Sequence, residues 1–180
     1  MTISTDAQFI PAWVDGKLQP VEKLAAHREA LCHKAVSVFL VRQGRLLIQR
    51  RALGKYHTPG LWANTCCTHP HWEEAPEDCA HRRLCEELGI TGQALVHRGQ
   101  IEYRAEVGGG LVEHELVDVF FAEATADLAP DPNPAEVMDT RWIAVDDLVG
   151  ELASTPGRFV PWLKIYMDGH RDQILGGSSS

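Results

Sequence analysis

Residues 64–71, NTCCTHPH, place two adjacent cysteines close to two histidines. Cys67 lies two residues before His69 and four residues before His71. A thiolate can act as a base and as a metal ligand, and a neutral imidazole is the commonest metal ligand among side chains. The spacing allows three interpretations: a buried strand with incidental thiols, a fragment of a zinc site, or a thiolate that does chemistry beside a metal ion.

The cysteine content of the whole chain favours reduced thiols. The chain has five cysteines, which is an odd number, and its sequence contains no C-x-x-C pair. A disulfide framework and a zinc ribbon are therefore both disfavoured. The first ten residues, MTISTDAQFI, lack the charged and apolar regions of a secretory leader. We therefore expect a cytoplasmic protein with free thiols.

Glu113 and Glu115, in the sequence VEHEL, are candidate oxygen ligands of a metal ion. Alternate residues of a strand share one face, so both carboxylates point the same way and His114 points the other way. An exposed face tolerates such a pair, but an interior tolerates two like charges only with a compensating cation or partner. The candidate nitrogen ligands are His27, His33 and His69. This set suits Mg²⁺, Mn²⁺ or Zn²⁺, although spacing alone does not show that the three regions converge.

The elements that must position these residues are predicted to be mixed strands with one central helix. A β-branched and aromatic run at 35–41, the turn 42–45 and the segment LLIQR at 46–50 are typical of a hairpin. Residues 76–88 predict an amphipathic helix that is followed by the cap residue Gly89. The other predicted elements are an extended segment at 60–68, a short helical piece between His27 and His33, strands at 93–106, 111–122 and 141–145, a helix at 146–152 and a final helix at 161–175. This order predicts a single α+β or α/β sandwich.

The length and the charge of the chain limit the classes of function. A chain of 180 residues with a formal net charge of −8 suits one domain that binds neither nucleic acid nor an anionic membrane through its overall charge. No apolar run reaches the roughly 20 residues that cross a bilayer. We expect one domain at residues 1–172, a flexible tail at 173–180, and a monomer or a weak dimer.

Residues 68–90 have the register of the Nudix box. The matching residues are Glu74, Arg82, Leu84, Glu86, Glu87, Gly89 and Ile90. Two positions depart from the pattern: Thr68 stands at the first glycine, and Arg83 stands at a glutamate of the metal-binding set. The resemblance implies a Nudix-type α/β/α sandwich with a mixed sheet. Arg83 argues against the pyrophosphohydrolase activity of that family, which remains our alternative function.

Nearly the whole chain, from about residue 9 to residue 170, resembles the type 1 isopentenyl-diphosphate isomerases, which are Nudix-fold enzymes. The motifs that carry the resemblance are WANTCCTHP at 62–70, VEHEL at 112–116, AEVMDTRW at 135–142 and FVPWL at 159–163. The resemblance implies an isomerase of isoprene biosynthesis. Such an enzyme interconverts isopentenyl diphosphate and dimethylallyl diphosphate by metal-assisted protonation and deprotonation.

The resemblance also implies a role for each matching residue. Cys67 and Glu115 are the implied acid–base pair, Tyr103 is the hydrogen-bonding neighbour of Glu115, and Trp162 is the aromatic wall beside the double bond. The implied metal ligands are His27, His33, His69, Glu113 and Glu115 at one site, and Glu87 at a second site whose Mg²⁺ touches the diphosphate. The implied diphosphate-binding cations are Lys23, Arg51, Lys55 and Arg83.

Protonation and packing around this site can also be anticipated. Glu115 with Tyr103 is expected to deliver one proton, and Cys67, as a thiolate of lowered pKa, to accept another, with the roles exchanged in reverse. Cys66 faces the other side of its strand and is expected to be a packing residue. The histidines expected to be solvated are His57, His71, His81, His97 and His170. A second alternative is a metal-binding or redox-sensing protein without enzymatic activity.

Overall fold

The computed structural model describes residues 8–176, and in this part of the chain nine strands form one mixed sheet. The strands are β1 (Phe9–Val14), β2 (Lys17–Glu22), β3 (His33–Arg42), β4 (Arg45–Arg51), β5 (Trp62–Ala63), β6 (Cys66–Thr68), β7 (Val96–Gly108), β8 (Leu111–Glu123) and β9 (Val137–Ala144). The helices are α1 (Lys23–Arg28), α2 (Pro76–Leu88), α3 (Val145–Ser154), α4 (Pro161–Gly169) and α5 (Arg171–Leu175), with a 3-10 turn at Pro156–Arg158. The predicted mixed-sheet architecture is confirmed.

Strand β3 is the centre of the sheet. It pairs antiparallel with β1, β4 and β6, and parallel with β8. Its near-continuous apolar sequence is explained by burial on both faces of the sheet. The parallel register sets His33 beside Glu115, and the pairing with β6 sets Ser37 beside Cys67. This one strand therefore connects the candidate metal ligands to the candidate catalytic cysteine.

The core lies in two layers, one on each side of the sheet. On one side, α2 packs Ala80, Leu84 and Leu88 against alternate residues of β3 that include Val36 and Val38. On the other side, helices α3, α4 and α5 bury Leu148, Leu152, Trp162, Leu163, Tyr166, Met167 and Ile174. Helices on both faces of one sheet make the α/β/α sandwich that the Nudix resemblance implied.

Helix α2 begins and ends where the sequence predicted. Pro76 occupies the first turn, where a backbone N–H has no helical partner. Gly89 follows the helix with a left-handed φ of 63°, and a Cβ there would lie 3.0 Å from Asp131. Glycine is the residue that this geometry favours. The cap fixes the end of the helix that carries Arg83 and Glu87.

Two short strands replace the single extended segment predicted at 60–68. Strand β5 pairs with β4, whereas β6 pairs with β3. Between them the Asn64 amide donates a hydrogen bond to Val38 O at 3.1 Å, and the Thr65 hydroxyl accepts one from Leu40 N at 2.9 Å. These side-chain hydrogen bonds take the place of the backbone-to-backbone hydrogen bonds that a continuous strand would make. The chain therefore passes from pairing with β4 to pairing with β3 just before Cys67.

The two ends of the described chain differ from the prediction. Strands β1 and β2 form an unpredicted hairpin around a turn with positive φ at Asp15 and Gly16. The predicted final helix is divided into α4 and α5, and folded structure continues past residue 172 because Ile174 is fully buried. Residues 177–180 of the predicted tail lie outside the described residues. Within residues 8–176 no helix is long and apolar enough to span a membrane.

Candidate active site

A cavity beside strands β6, β7 and β8 collects most of the predicted site residues. Its lining consists of Lys23, Arg51, Lys55, Tyr56, His57, Cys67, Thr68, His69, Arg83, Tyr103, Glu113, Glu115 and Trp162. All of these except Tyr56, His57 and Thr68 were predicted as site residues. Cys67 and Glu115 come from different strands and share this one cavity.

The five predicted ligands of one metal site form a buried cluster. His27 lies on α1, His33 begins β3, His69 follows β6, and Glu113 and Glu115 lie on β8. One ligand atom from each residue lies within 4.8 Å of those of all the others. Glu113 Oε2 lies 3.2 Å from His27 Nε2 and 3.4 Å from His33 Nε2, and Glu115 Oε1 lies 2.9 Å from His69 Nε2. The structure therefore brings together three regions whose convergence the spacing could not show.

The backbone orients two of the histidine rings in this cluster. His27 Nδ1 lies 2.6 Å from Lys23 O, and His33 Nδ1 lies 2.8 Å from Leu31 O. Because a carbonyl oxygen only accepts, each Nδ1 donates its proton to the backbone, and the Nε2 of each ring faces the carboxylates. Among the described residues, His33 Nε2 and Glu113 Oε2 are buried without a hydrogen-bond partner. This donor set fits a divalent cation with nitrogen and oxygen ligands.

The protonation of His33 shows how strongly the cluster attracts positive charge. Burial by itself would lower the pKa of His33, but the adjacent carboxylates of Glu113 and Glu115 raise it to about 10. A protonated imidazole between two carboxylates supplies compensating charge, as a metal ion would in the same place. A cation that binds the cluster must therefore displace this proton.

We expect a divalent metal ion that binds this cluster to raise the thermal stability of the protein, and its removal to reverse the gain. A ligand that binds only the folded state stabilises it by about 2.7 kcal/mol at 100 times its Kd. Thermal unfolding in a chelator, and again after addition of Mg²⁺, Mn²⁺ or Zn²⁺, measures the effect. The metal-dependent shift should disappear in His27→Ala and persist in His81→Ala, whose ring is partly exposed on α2. Equal unfolding temperatures with and without metal would contradict a metal site at this cluster.

His57 also belongs to the site, and its prediction as a solvated residue was wrong. The residue is only 5% exposed, and its Nε2 lies 2.5 Å from Glu113 Oε1. Its ring meets Trp162 edge-on, with centroids 5.7 Å apart. Burial lowers the pKa of His57, so the ring is neutral at pH 7. The available signal was its position two residues after Lys55, which had already been assigned to the site.

The sulfur of Cys67 is surrounded by hydrogen-bonding groups. The thiol donates to Asn64 Oδ1 at 2.8 Å, Trp162 Nε1 donates to Sγ at 3.0 Å, and Ser37 Oγ lies 3.1 Å from Sγ. Burial raises the pKa of the thiol to about 12, although the hydrogen bonds from Ser37 and Trp162 oppose the shift. The expectation of a lowered pKa was wrong for this arrangement. Within residues 8–176 the lysines and arginines of the cavity make no hydrogen bond with the sulfur, so they do not offset burial.

The two adjacent cysteines lie on opposite faces of β6. Cys66 is fully buried and packs with Ala80 and Leu84 of α2, which confirms its prediction as a packing residue. The Asn64 amide donates to Cys66 O at 3.0 Å and thereby turns its own oxygen toward the Cys67 thiol. Strand alternation and one asparagine thus give the two thiols different environments.

Glu115 divides its two oxygens between different partners. Oε1 faces His33 and His69 in the metal-ligand cluster, whereas Oε2 accepts a 2.7 Å hydrogen bond from the Tyr103 hydroxyl. Burial and the charge of Glu115 raise the pKa of Tyr103 well above its usual value, so the phenol remains a donor. One carboxylate therefore belongs both to the cluster of candidate metal ligands and to the cavity that Cys67 lines.

Four cationic side chains line the cavity: Lys23, Arg51, Lys55 and Arg83. Burial, and then repulsion by Lys55 and Arg83, lowers the pKa of Lys23 to about 8. This repulsion reflects a locally positive potential in a chain whose net charge is −8. Lys55 and Arg83 share a counter-ion, since both form ion pairs with Glu136. The cations are thus assembled before any anion binds.

Glu87 is not one of the residues that line the cavity. Its Oε1 lies 2.5 Å from Arg83 Nη2, and its Oε2 accepts a 2.8 Å hydrogen bond from Gln49 Nε2. Arg83, which does line the cavity, is therefore the group that connects Glu87 to it. A second metal site at Glu87 stays a prediction.

Comparison with known proteins first defines the class. A profile of the NUDIX domain matches residues 32–163. DR0079 from Deinococcus radiodurans has a TM-score of 0.73 at 16% identity and covers 89% of this chain and 98% of its own. A MutT NUDIX hydrolase from Burkholderia pseudomallei has a TM-score of 0.60 at 22% identity, over 77% of this chain and 98% of its own. The chain is a Nudix-domain protein, and these identities concern the fold alone.

Relatives of higher identity define the family within that class. An isopentenyl-diphosphate Delta-isomerase of Cereibacter sphaeroides is 60% identical over 94% of this chain and 96% of its own length. Its namesake from Ruegeria pomeroyi is 61% identical over 93% of each chain. The chain belongs to the isopentenyl-diphosphate Delta-isomerase family. The resemblance inferred from the sequence motifs is confirmed.

Proposed function

We propose that this protein interconverts isopentenyl diphosphate and dimethylallyl diphosphate and so acts in isoprenoid precursor biosynthesis. The observation that carries the proposal is that Cys67 and Glu115, from strands β6 and β8, line one cavity together with Trp162. Movement of the double bond requires one proton to be added to the substrate and another to be removed two bonds away. Two acid–base groups that reach the same substrate provide both steps.

Cys67 and Glu115 form the proposed acid–base pair. In either direction, one member transfers its proton to the alkene, so that a C–H bond forms and a carbocation is left. The other member accepts a proton from the carbon on the far side of the cation, and the electrons of that C–H bond become the new double bond. The Tyr103 hydroxyl holds Glu115 Oε2 in place. Exchange with water resets the pair, so solvent hydrogen enters the product.

Trp162 is the proposed wall against the carbocation. An aromatic face stabilises a desolvated cation by about 2 kcal/mol and presents no lone pair that would trap it. The Nε1–H donates to Cys67 Sγ, which fixes the indole next to the acid–base pair. The residue is buried at the start of α4, so its position depends on packing and not on a mobile loop.

The four cavity cations are the proposed diphosphate-binding group, since charge-assisted hydrogen bonds from lysine and arginine suit phosphate oxygens. The buried cluster of three histidines and two glutamates (the His/Glu cluster) suits Mg²⁺, Mn²⁺ or Zn²⁺. A divalent cation there would supply Lewis acidity and fix the orientation of Glu115. Glu87 is the proposed ligand of an Mg²⁺ that accompanies the diphosphate. We propose a cytoplasmic protein that is a monomer or a weak dimer.

Isotope exchange tests this proposal directly. The metal-loaded protein is incubated with isopentenyl diphosphate in D₂O, and the five-carbon products are analysed by NMR and mass spectrometry. We expect conversion to dimethylallyl diphosphate with deuterium incorporated from the solvent and without release of phosphate. Phosphate release without deuterium uptake would instead support the pyrophosphohydrolase alternative.

The geometry of Arg83 weighs against that alternative. Its guanidinium donates to Glu86 Oε2 at 2.8 Å and to Glu87 Oε1 at 2.5 Å. Arg83 therefore stands in place of one acid of the Nudix box and forms an ion pair with Glu86, a second one, while Glu87 keeps its Oε2 free of the arginine. A hydrolase uses these acids as metal ligands, whereas a diphosphate-binding site uses the same arginine as a cation.

We expect affinity for the diphosphate group to fall as pH rises through about 8. Lys23 has a pKa of about 8, so it is charged below that pH and neutral above it. Loss of one partly solvated ion pair, about 1 kcal/mol, corresponds to roughly fivefold weaker binding. Competitive inhibition by inorganic pyrophosphate as a function of pH measures this change.

Lys23→Arg supplies the matched variant for this test, because arginine stays charged throughout the pH range. The decline near pH 8 should disappear in Lys23→Arg and remain in Lys164→Arg, which alters an exposed lysine of α4. An unchanged decline in Lys23→Arg would show that another group titrates.

A further inference from the structure

A second cluster of metal-ligating side chains lies outside the cavity. Its members are Cys32, Glu102 and His114, whose ligand atoms all lie within 4.8 Å of one another. His114 Nε2 lies 3.1 Å from Glu102 Oε1, and both side chains reach solvent. The Cys32 thiol is free and partly exposed. Neither acid–base transfer nor diphosphate binding involves these residues.

The position of this cluster follows from strand alternation. Cys32 precedes His33, Glu102 precedes Tyr103, and His114 stands between Glu113 and Glu115. Successive residues of a strand point to opposite faces, so the neighbours of the active-site residues emerge on the other face of the sheet. The β3–β8 and β7–β8 pairings bring the three segments side by side. The strand pairings that position the first cluster therefore also bring these three side chains together.

The chemistry of the three side chains selects the class of cation. A thiolate, an imidazole and a carboxylate form a mixed S/N/O set, which Zn²⁺ accepts in sites with three protein ligands and one open position. The backbone of Cys32 is anchored, since its carbonyl accepts a 2.8 Å hydrogen bond from Trp13 N.

We propose that Cys32, Glu102 and His114 form a second metal site that takes Zn²⁺ on the face of the sheet opposite the cavity. The ion links the segment before β3 to strands β7 and β8. The same three segments carry His33, Tyr103 and Glu115. Zinc at this site therefore restricts the relative motion of these active-site residues from the opposite face of the sheet. This site goes beyond the isomerase function and does not depend on it.

Cobalt absorption tests the proposal without measuring turnover. The His/Glu cluster is first saturated with Mg²⁺ or Mn²⁺, and Co²⁺ is then titrated while thiolate-to-cobalt absorption is recorded. We expect one equivalent of Co²⁺ to produce the absorption and Zn²⁺ to abolish it. Cys32→Ser should remove the absorption, whereas Cys85→Ser, which replaces an exposed thiol on α2, should leave it unchanged.

Two further variants distinguish a built site from a single reactive thiol. Glu102→Gln and His114→Asn alter partly exposed side chains, and each should weaken Co²⁺ binding by on the order of tenfold or more. The proposal is overturned if wild type shows no absorption, or if Cys32→Ser retains it while Cys67→Ser loses it. Unchanged affinity in both Glu102→Gln and His114→Asn would equally exclude a three-ligand site. Isomerase activity that persists alongside any of these results leaves the function proposed above intact.

Discussion

Replacement of Cys67 by alanine is expected to reduce the rate of solvent deuterium uptake by on the order of 10²–10⁴-fold or more, the contribution of a positioned acid or base. The reason is geometric, because Cys67 is the cysteine whose thiol lines the cavity with Glu115. The assay follows deuterium in recovered isopentenyl diphosphate and in dimethylallyl diphosphate. Binding of inorganic pyrophosphate should change little, since the cationic side chains are untouched.

A matched thiol substitution separates this effect from a general loss of structure. Cys85→Ala removes an exposed thiol of α2 and should exchange at the wild-type rate. The unfolding temperature of Cys67→Ala should be recorded alongside, because the substitution also removes the partner of Trp162 Nε1 and Asn64 Oδ1. A folded Cys67→Ala variant with normal exchange would exclude the sulfur from the reaction.

Glu115→Gln is expected to abolish turnover to a similar extent and also to weaken metal binding. The substitution keeps the size of the side chain but removes the proton-transferring carboxylate. It also removes the negative charge that faces His33 and His69. Isotope exchange and metal content, measured on the same preparation, report the two losses separately. Glu123→Gln, at the exposed end of the same strand, is the matched control and should match wild type in both.

Tyr103→Phe resolves the two roles of Glu115. The phenol contacts only the Oε2 side of the carboxylate, away from the histidines. This variant should therefore exchange deuterium slowly while it retains its metal. A Glu115→Gln variant that lost its metal and still exchanged deuterium at the wild-type rate would contradict the acid–base role.

Local patterns explain why much of the fold could be predicted. The β3–β4 hairpin, helix α2 with Gly89, and the β7–β8 pair each express a periodicity or a turn that is contained in one short segment. The β1–β2 hairpin was missed because β2 is largely exposed and has no apolar periodicity, and its turn residues Asp15 and Gly16 were not recognised. The break between β5 and β6 depends on hydrogen bonds from Asn64 and Thr65 to strands that lie far away in the sequence.

Non-local contacts explain what could not be derived for the site. Alternation along β8 predicted that Glu113 and Glu115 share a face, but only the parallel register with β3 sets His33 beside them. Residue chemistry named the candidate ligands, and family resemblance assigned them to one site, but spacing could not show that they converge. His57 was missed because a histidine in a loop carries no periodic signal. The protonated state of Cys67 depends on burial, which residue type does not reveal.

The parallel pairing of β3 with β8 has a consequence for how the protein reaches its native state. His33 and Glu115 are far apart in the sequence, so a complete set of ligands exists only after this long-range pairing has formed. Such pairings form late, because chain entropy opposes them until tertiary contacts accumulate. A newly synthesised chain would therefore capture its ion near the end of folding. Metal uptake followed during refolding would report when the central strands have met.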